Sequence, residues 1–149
     1  MNEQEYRALM RTRLADYLRL REDMGDERAR ESILESYVRR QEQRMGTLIR
    51  DNTLAEGFSK VTRVFDTMGV HIEIVDVSGD GVDAAVEILT TCECQSTCDD
   101  LGLTEPLTVL CELDNEAARR AFPGLKVEVL RQHVRGAHMC VFRYSRQAP

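Results

Sequence analysis

The sequence predicts an α+β fold, with N-terminal helices packed on an antiparallel sheet built from two hairpins, and three features carry that prediction. Apolar residues recur every three or four positions as far as Met68. After Gly69 the apolar period falls to two. Two turn signals, Ser78-Gly79-Asp80-Gly81 and Arg135-Gly136-Ala137, then each separate a pair of strand-like runs. A chain of 149 residues can bury one core without disulfide staples. Residues 1–149 therefore read as a single domain, helical over 1–69 and α+β over 70–145.

Residues 3–20 place Tyr6, Leu9, Met10, Leu14, Tyr17 and Leu18 on one helical stripe. Gly25 interrupts it, and Asp26 is suited to cap a second helix carrying Ala29, Ile33, Leu34, Tyr37 and Val38. The polar run Arg39 to Arg44 predicts a solvated middle for that helix before Met45, Leu48 and Ile49 resume the stripe. Thr53 and Glu56 form a capping-box pattern ahead of Leu54, Phe58, Val61, Phe65 and Met68, a third helix that Gly69 ends.

Val70, Ile72 and Ile74 begin the first strand, with His71 facing solvent, and the second runs from Val82 to about Thr91. Its apolar residues Val82, Ala84, Val86 and Ile88 predict the core-facing side, and the same parity carries Cys92 and Cys94 toward the core. Pro106 suits the first turn of a helix over about 105–121, which carries Leu107, Leu110, Cys111, Asp114 and Ala118. Leu125–Val134 and His138–Tyr144 form the closing hairpin, with His138, Cys140, Phe142 and Tyr144 on one face and Arg146 to Pro149 as a frayed tail.

Charge narrows the function. The net charge is −6, and past residue 50 nine Lys and Arg face sixteen Asp and Glu, which argues against nucleic acid as a partner. The eleven Arg and ten acids of residues 1–50 alternate as on a solvated, ion-paired helix face. Neither a secretory signal nor a membrane-spanning run is readable, so a cytoplasmic protein with no membrane partner is expected. Long amphipathic N-terminal helices are compatible with a homodimer and equally with covering one face of a single sheet.

All five cysteines, Cys92, Cys94, Cys98, Cys111 and Cys140, lie in the last 58 residues. In a reducing compartment an odd number reads as thiols. Cys92, Cys111 or Cys140 could supply a nucleophilic thiolate, with His138, His133, Asp99 or Asp114 as base. Cys92 is preferred because a strand end is more accessible than a core face. The alternative is zinc held by Cys92, Cys94, Cys111 and Cys140, although the spacing lacks the two short pairs typical of structural zinc sites. No other cofactor is expected.

Cys92 followed ten positions later by Gly102, Cys111-Glu-Leu-Asp114, Phe122-Pro123 and Gly136-(three residues)-Cys140-Val-Phe142 together resemble the L-2-amino-thiazoline-4-carboxylic acid hydrolase family over roughly residues 70–145. Glu93 and Ala137 depart from the pattern, where proline and an acid are usual. A more distant likeness is to vinyl-4-reductase-type small-molecule-binding domains. The resemblance implies hydrolytic opening of a cyclic C=N system, as in 2-aminothiazoline-4-carboxylate going to carbamoyl-cysteine. It implies Cys92 as nucleophile, Asp114 as base or orienting group, and Cys111, Cys140 and His138 lining the same pocket. An arginine such as Arg131, Arg135 or Arg143 would clamp a substrate carboxylate. The expected function is thus a small cytoplasmic hydrolase of non-peptide C–N bonds with a small-molecule substrate. The alternative is a binding or sensor module of the same fold.

Overall fold

The computed structural model describes residues 1–133 and 136–149. Its elements run α1 (Glu3–Met24), α2 (Asp26–Asp51), α3 (Leu54–Ser59), α4 (Thr62–Thr67), β1 (Ile72–Asp76), β2 (Val82–Leu89), α5 (Glu93–Asp100), α6 (Val109–Ala121), β3 (Lys126–Arg131) and β4 (Cys140–Gln147). The four strands form one antiparallel sheet in the order β1-β2-β4-β3, so the two hairpins join through the central β2–β4 pair. The α+β architecture is the one the sequence predicts.

Local chemistry explains most boundaries. Asn2 and Glu5 close a capping box at the start of α1, and Thr53 and Glu56 close the expected one at α3. Asp26 is the first residue of α2 rather than its cap, and its carboxylate accepts hydrogen bonds from the Tyr17 hydroxyl and from Arg30. The single helix expected over 53–68 breaks between α3 and α4. There the Ser59 and Thr62 hydroxyls donate back to the carbonyls of Ala55 and Ser59, at 2.7 and 3.0 Å, competition that bends a helix. Gly69 ends α4 at φ 77°, where the Val70 N–H closes onto the Phe65 carbonyl at 3.0 Å. Asp80 and Gly81, at φ 51° and 77°, supply the tight turn between β1 and β2. Pro106 precedes α6 by three residues instead of opening it. The turn expected at Arg135-Gly136-Ala137 lies partly outside the described residues.

The inner face of β2 is the reverse of the expected one. Asp83, Ala85, Glu87 and Leu89 face the helices: Ala85 and Leu89 belong to the sheet-side core, and Glu87 and Leu89 line a cavity. Reading the acids as solvent-facing inverted the strand, because both acids are used inside. Asp83, 3% exposed, accepts the Leu54 N–H at 3.0 and 3.2 Å and Arg146 Nε at 2.8 Å. Arg146 also donates to the carbonyls of Ile49 and Asn52, each at 2.6 Å. The residue expected in a frayed tail is thus a stitch between β4, β2 and the α2–α3 junction.

Two apolar clusters build the core. One joins α1, α2, α5 and α6 around Leu14, Tyr37, Cys98 and Leu113. The other seats Ile49, Phe58 and Ala118 on the sheet residues Ala85, Val127, Phe142 and Tyr144. Among the described residues, no helix is long and apolar enough to cross a membrane.

Candidate functional site

A cavity of about 370 Å³ opens where the two clusters meet, and residues of both line it. Its volume is within the range of small-molecule sites. Phe58, Phe65, Met68, Ile74, Phe142 and Tyr144 make an apolar cup on the side of the sheet and of α3–α4. Helical spacing builds the polar side. Along α2, Tyr37, Arg40, Gln41, Arg44 and Met45 fall at i, i+3, i+4, i+7 and i+8, and α6 presents Leu110, Cys111, Asp114 and Ala118. The expected wet middle of α2 therefore contributes Arg40, Gln41 and Arg44 to the cavity wall.

Three carboxyl groups line the cavity, and burial raises all of them: Glu93 at the start of α5, Asp114 and Glu87. Asp114 has accessible surface, but the cavity walls enclose it, and burial raises its pKa. Gln41 Nε2, donating to Oδ1 at 3.0 Å, and the charges of Arg40, Arg44 and Arg13 partly oppose that rise. Glu87, on the facing strand, is pushed up to about 8 by burial, with a smaller contribution from the charge of Asp114. Glu87 is accordingly favoured as a carboxylic acid at neutral pH, able to donate a proton, and Asp114 lines the same cavity. Burial likewise raises Tyr6, Tyr37 and Tyr144 on the same walls.

Four thiols converge beside this wall. Cys92, half-buried, is the N-cap of α5, where its sulfur accepts the Gln95 N–H at 3.4 Å. It also hydrogen-bonds Cys140, whose sulfur accepts the His133 N–H at 3.3 Å. Donation from Cys92, then the His133 N–H and the nearby ring, lower Cys140 to about 6, while the same sharing raises Cys92. The pair thus favours a thiolate on Cys140 with Cys92 as its donor. Cys94 Sγ lies 2.8 Å from Cys111 Sγ, and this contact together with burial keeps Cys111 a thiol. Cys98 stands apart in the helical core, where its sulfur accepts the Leu107 N–H at 3.2 Å.

Cys92, Cys111 and Cys140 come together with Cys94, which the sequence reading left without a role, and Cys111 and Asp114 line the cavity itself. Cys94 does reach the core, but as the 2% exposed first-turn residue of a helix and not by strand parity. His138 is exposed and does not join the lining. His133 is the histidine beside the thiol pair, with its Nδ1 buried and without a protein partner. Arg143 projects from the opposite face of the sheet and pairs with Glu128 at 2.8 Å, because strand alternation sets it against Phe142 and Tyr144. Arg131 is exposed outside the lining, and Arg135 lies outside the described residues. Zinc shared by Cys92, Cys94, Cys111 and Cys140 does not fit this arrangement. Tetrahedral thiolates around zinc stand about 3.7 Å apart, wider than the 2.8 Å Cys94–Cys111 contact. Among the described residues no group of three or more His, Cys, Asp or Glu is disposed to hold a metal.

Sequence reasoning missed Glu87, Arg13, Arg40, Gln41 and Arg44. For Arg13, Arg40, Gln41 and Arg44 the signal was present as polar residues at positions where the helix period calls for core, whereas the apolar alternation of β2 pointed Glu87 to the opposite face.

Fold and site together define an α+β domain with an internal cavity of small-molecule size between its helices and one face of its sheet. The chain belongs to the L-2-amino-thiazoline-4-carboxylic acid hydrolase family, whose model matches residues 1–144 and so takes in the helical half as well as the cysteine-bearing part. The crystal structure of the phenol-responsive sensory domain of the transcription activator PoxR with phenol shares the fold. The TM-score is 0.60 and the identity 14%, over 98% of this chain and 76% of that one. No curated protein sequence matches the chain.

Proposed function

We propose that this chain is a hydrolase acting at the amidine carbon of a small, thiazoline-like ring derived from an amino acid, with the C=N system opened inside the cavity. The observation that carries the reading is the carboxyl pair, Glu87 and Asp114, set in an apolar cup beside Cys111. Family membership supplies the substrate class. An amidine carbon becomes electrophilic when its ring nitrogen is protonated, and Glu87, protonated at neutral pH, is the donor for that step. The thiolate of the Cys92–Cys140 pair, next to Cys111, adds to the amidine carbon as the ring sulfur leaves; water, giving a proton to Asp114, then attacks that carbon and expels the cysteine thiolate unchanged. In the net reaction the water oxygen bonds to the amidine carbon, the bond from that carbon to the ring sulfur breaks, and the two protons of water end on the ring nitrogen and on the departing sulfur. No oxidant or metal is consumed.

Asp114→Asn keeps the shape and the Gln41 contact but removes the base. Assayed on L-2-amino-thiazoline-4-carboxylate, it is expected to lower kcat about 100-fold or more with the melting temperature retained. Full turnover by the folded variant would remove Asp114 from the mechanism.

A second reading is a small-molecule-binding module without catalysis, supported by the fold shared with the phenol-responsive domain and by the largely apolar cup. Saturable binding of the thiazoline with no product would favour it.

A further inference from the structure

Many of the described arginines are held by carboxylates. Arg30 is held by Asp26 and Glu112, Arg39 by Glu35, Arg120 by Glu31 and Glu116, and Arg146 by Asp83. Arg13, Arg40 and Arg44, which line the cavity, have no carboxylate within ion-pair distance among the described residues. Arg40 is the most constrained. Its guanidinium carbon lies 4.0 Å from the centre of the Tyr37 ring, with that of Arg13 at 5.7 Å from the same ring. One terminal nitrogen of Arg40, Nη2, is buried with no hydrogen-bond partner in the protein.

Two guanidiniums stacked against one ring repel each other, and Arg13 is accordingly held below its ordinary basicity by burial first and by Arg40 second. Of the other charged groups on these walls, Asp114 already accepts from Gln41 at 3.0 Å, and burial favours the neutral form of Glu93 and Glu87. An unpaired donor and a surplus of positive charge inside a walled space make a site that lacks an anion. Stacking on Tyr37 fixes the plane of Arg40 in advance, so little ordering remains when a planar anion arrives.

We propose that Arg40 and Arg13, with Arg44, form an anion subsite at one end of the cavity and hold the carboxylate of the ligand, leaving its basic nitrogen toward Glu87 and Asp114. The inference rests on the reading of this cavity as the substrate site, and it gives the substrate a direction. The molecule is bipolar, with a carboxylate at the α1–α2 end and an amidine at the α6–β2 end. The subsite also replaces the carboxylate clamp that the sequence placed on Arg131, Arg135 or Arg143.

The test is calorimetric titration of the whole protein with thiophene-2-carboxylate and with its neutral carboxamide, alongside turnover of L-2-amino-thiazoline-4-carboxylate. The acid is expected to bind at least about tenfold more tightly than the amide. Arg40→Met, which keeps the stem against Tyr37, should erase that preference. Arg40→Lys, which keeps the charge without the fork and serves should Arg40→Met fold poorly, should lose part of it. Arg39→Met, on the outer side of the same helix, should change nothing. Equal binding of acid and amide by the wild type, or an acid preference surviving in folded Arg40→Met, would overturn the proposal. If the thiazoline is turned over with an unchanged KM in Arg40→Met, the subsite falls and the hydrolase reading stands. If acid selectivity depends on Arg40 but no thiazoline is turned over, the subsite stands and the hydrolase reading falls.

Discussion

Glu87→Gln should stabilise the protein at alkaline pH and leave it nearly unchanged in acid. The carboxyl of Glu87 is raised from 4.5 to about 8 because it faces an apolar cavity with Asp114 as its nearest charge. Below pH 4.5 the acid is protonated in both folded and unfolded chains, and its contribution is fully present. Between 4.5 and 8 the unfolded chain releases a proton that the folded chain retains, so stability falls by about 1.4 kcal/mol per pH unit until folded Glu87 also ionises. Over the whole interval the loss is on the order of 5 kcal/mol. Water entering the cavity relieves part of it, so a gap of about 2 kcal/mol or more between variant and wild type is expected at pH 9. Glutamine occupies the same volume and cannot ionise, which makes it the neutral reference. Urea unfolding at pH 5, 7 and 9 measures the difference directly. Stability curves that stay parallel across that range, within about 0.5 kcal/mol, would show that Glu87 ionises at an ordinary pH and would refute the reasoning.

The thiolate of the Cys92–Cys140 pair predicts that iodoacetamide labels Cys140 or Cys92 well before Cys98 and Cys94 near pH 7, and that Cys92→Ala moves the Cys140 rate profile to higher pH by removing its principal donor; uniform slow labelling followed by mass spectrometry would contradict this. Asp83→Ala leaves Arg146 and the Leu54 N–H without their partner and is expected to cost about 3 kcal/mol or more in urea unfolding. Gly57→Ala sets a Cβ 2.7 Å from the Leu48 carbonyl oxygen, a backbone clash across the α2–α3 contact worth about 1–3 kcal/mol by the same assay. The homodimer allowed by the sequence is tested by sedimentation equilibrium, where a mass of twice the chain's 17.0 kDa across dilution would establish it.

Much of the fold was legible because local physics agreed with global packing. The change of period at Gly69, the Thr53–Glu56 capping box and the Ser78–Gly81 turn each specify one local structure, and each is present. The family-like spacing placed Cys92, Cys111 and Cys140 near one another. What failed was the rule that polar residues face water. A cavity inverts that rule: Arg40, Gln41 and Arg44 interrupt the α2 stripe because they line a space, and Glu87 takes an inner position on β2 for the same reason. Arg146 was assigned to a tail because its partners, Asp83 and the carbonyls of Ile49 and Asn52, are remote in sequence. The Cys94–Cys111 contact depends on how α5 lies against α6, which no local pattern encodes.

The most direct measurement is carbon NMR of L-2-amino-thiazoline-4-carboxylate labelled with ¹³C at its amidine carbon, followed in the presence of substoichiometric protein. The account predicts that the amidine signal is replaced, over many turnovers, by a urea-type carbonyl signal, and that folded Asp114→Asn fails to produce it. An amidine signal that broadens on binding and otherwise persists would contradict hydrolysis and leave a binding domain.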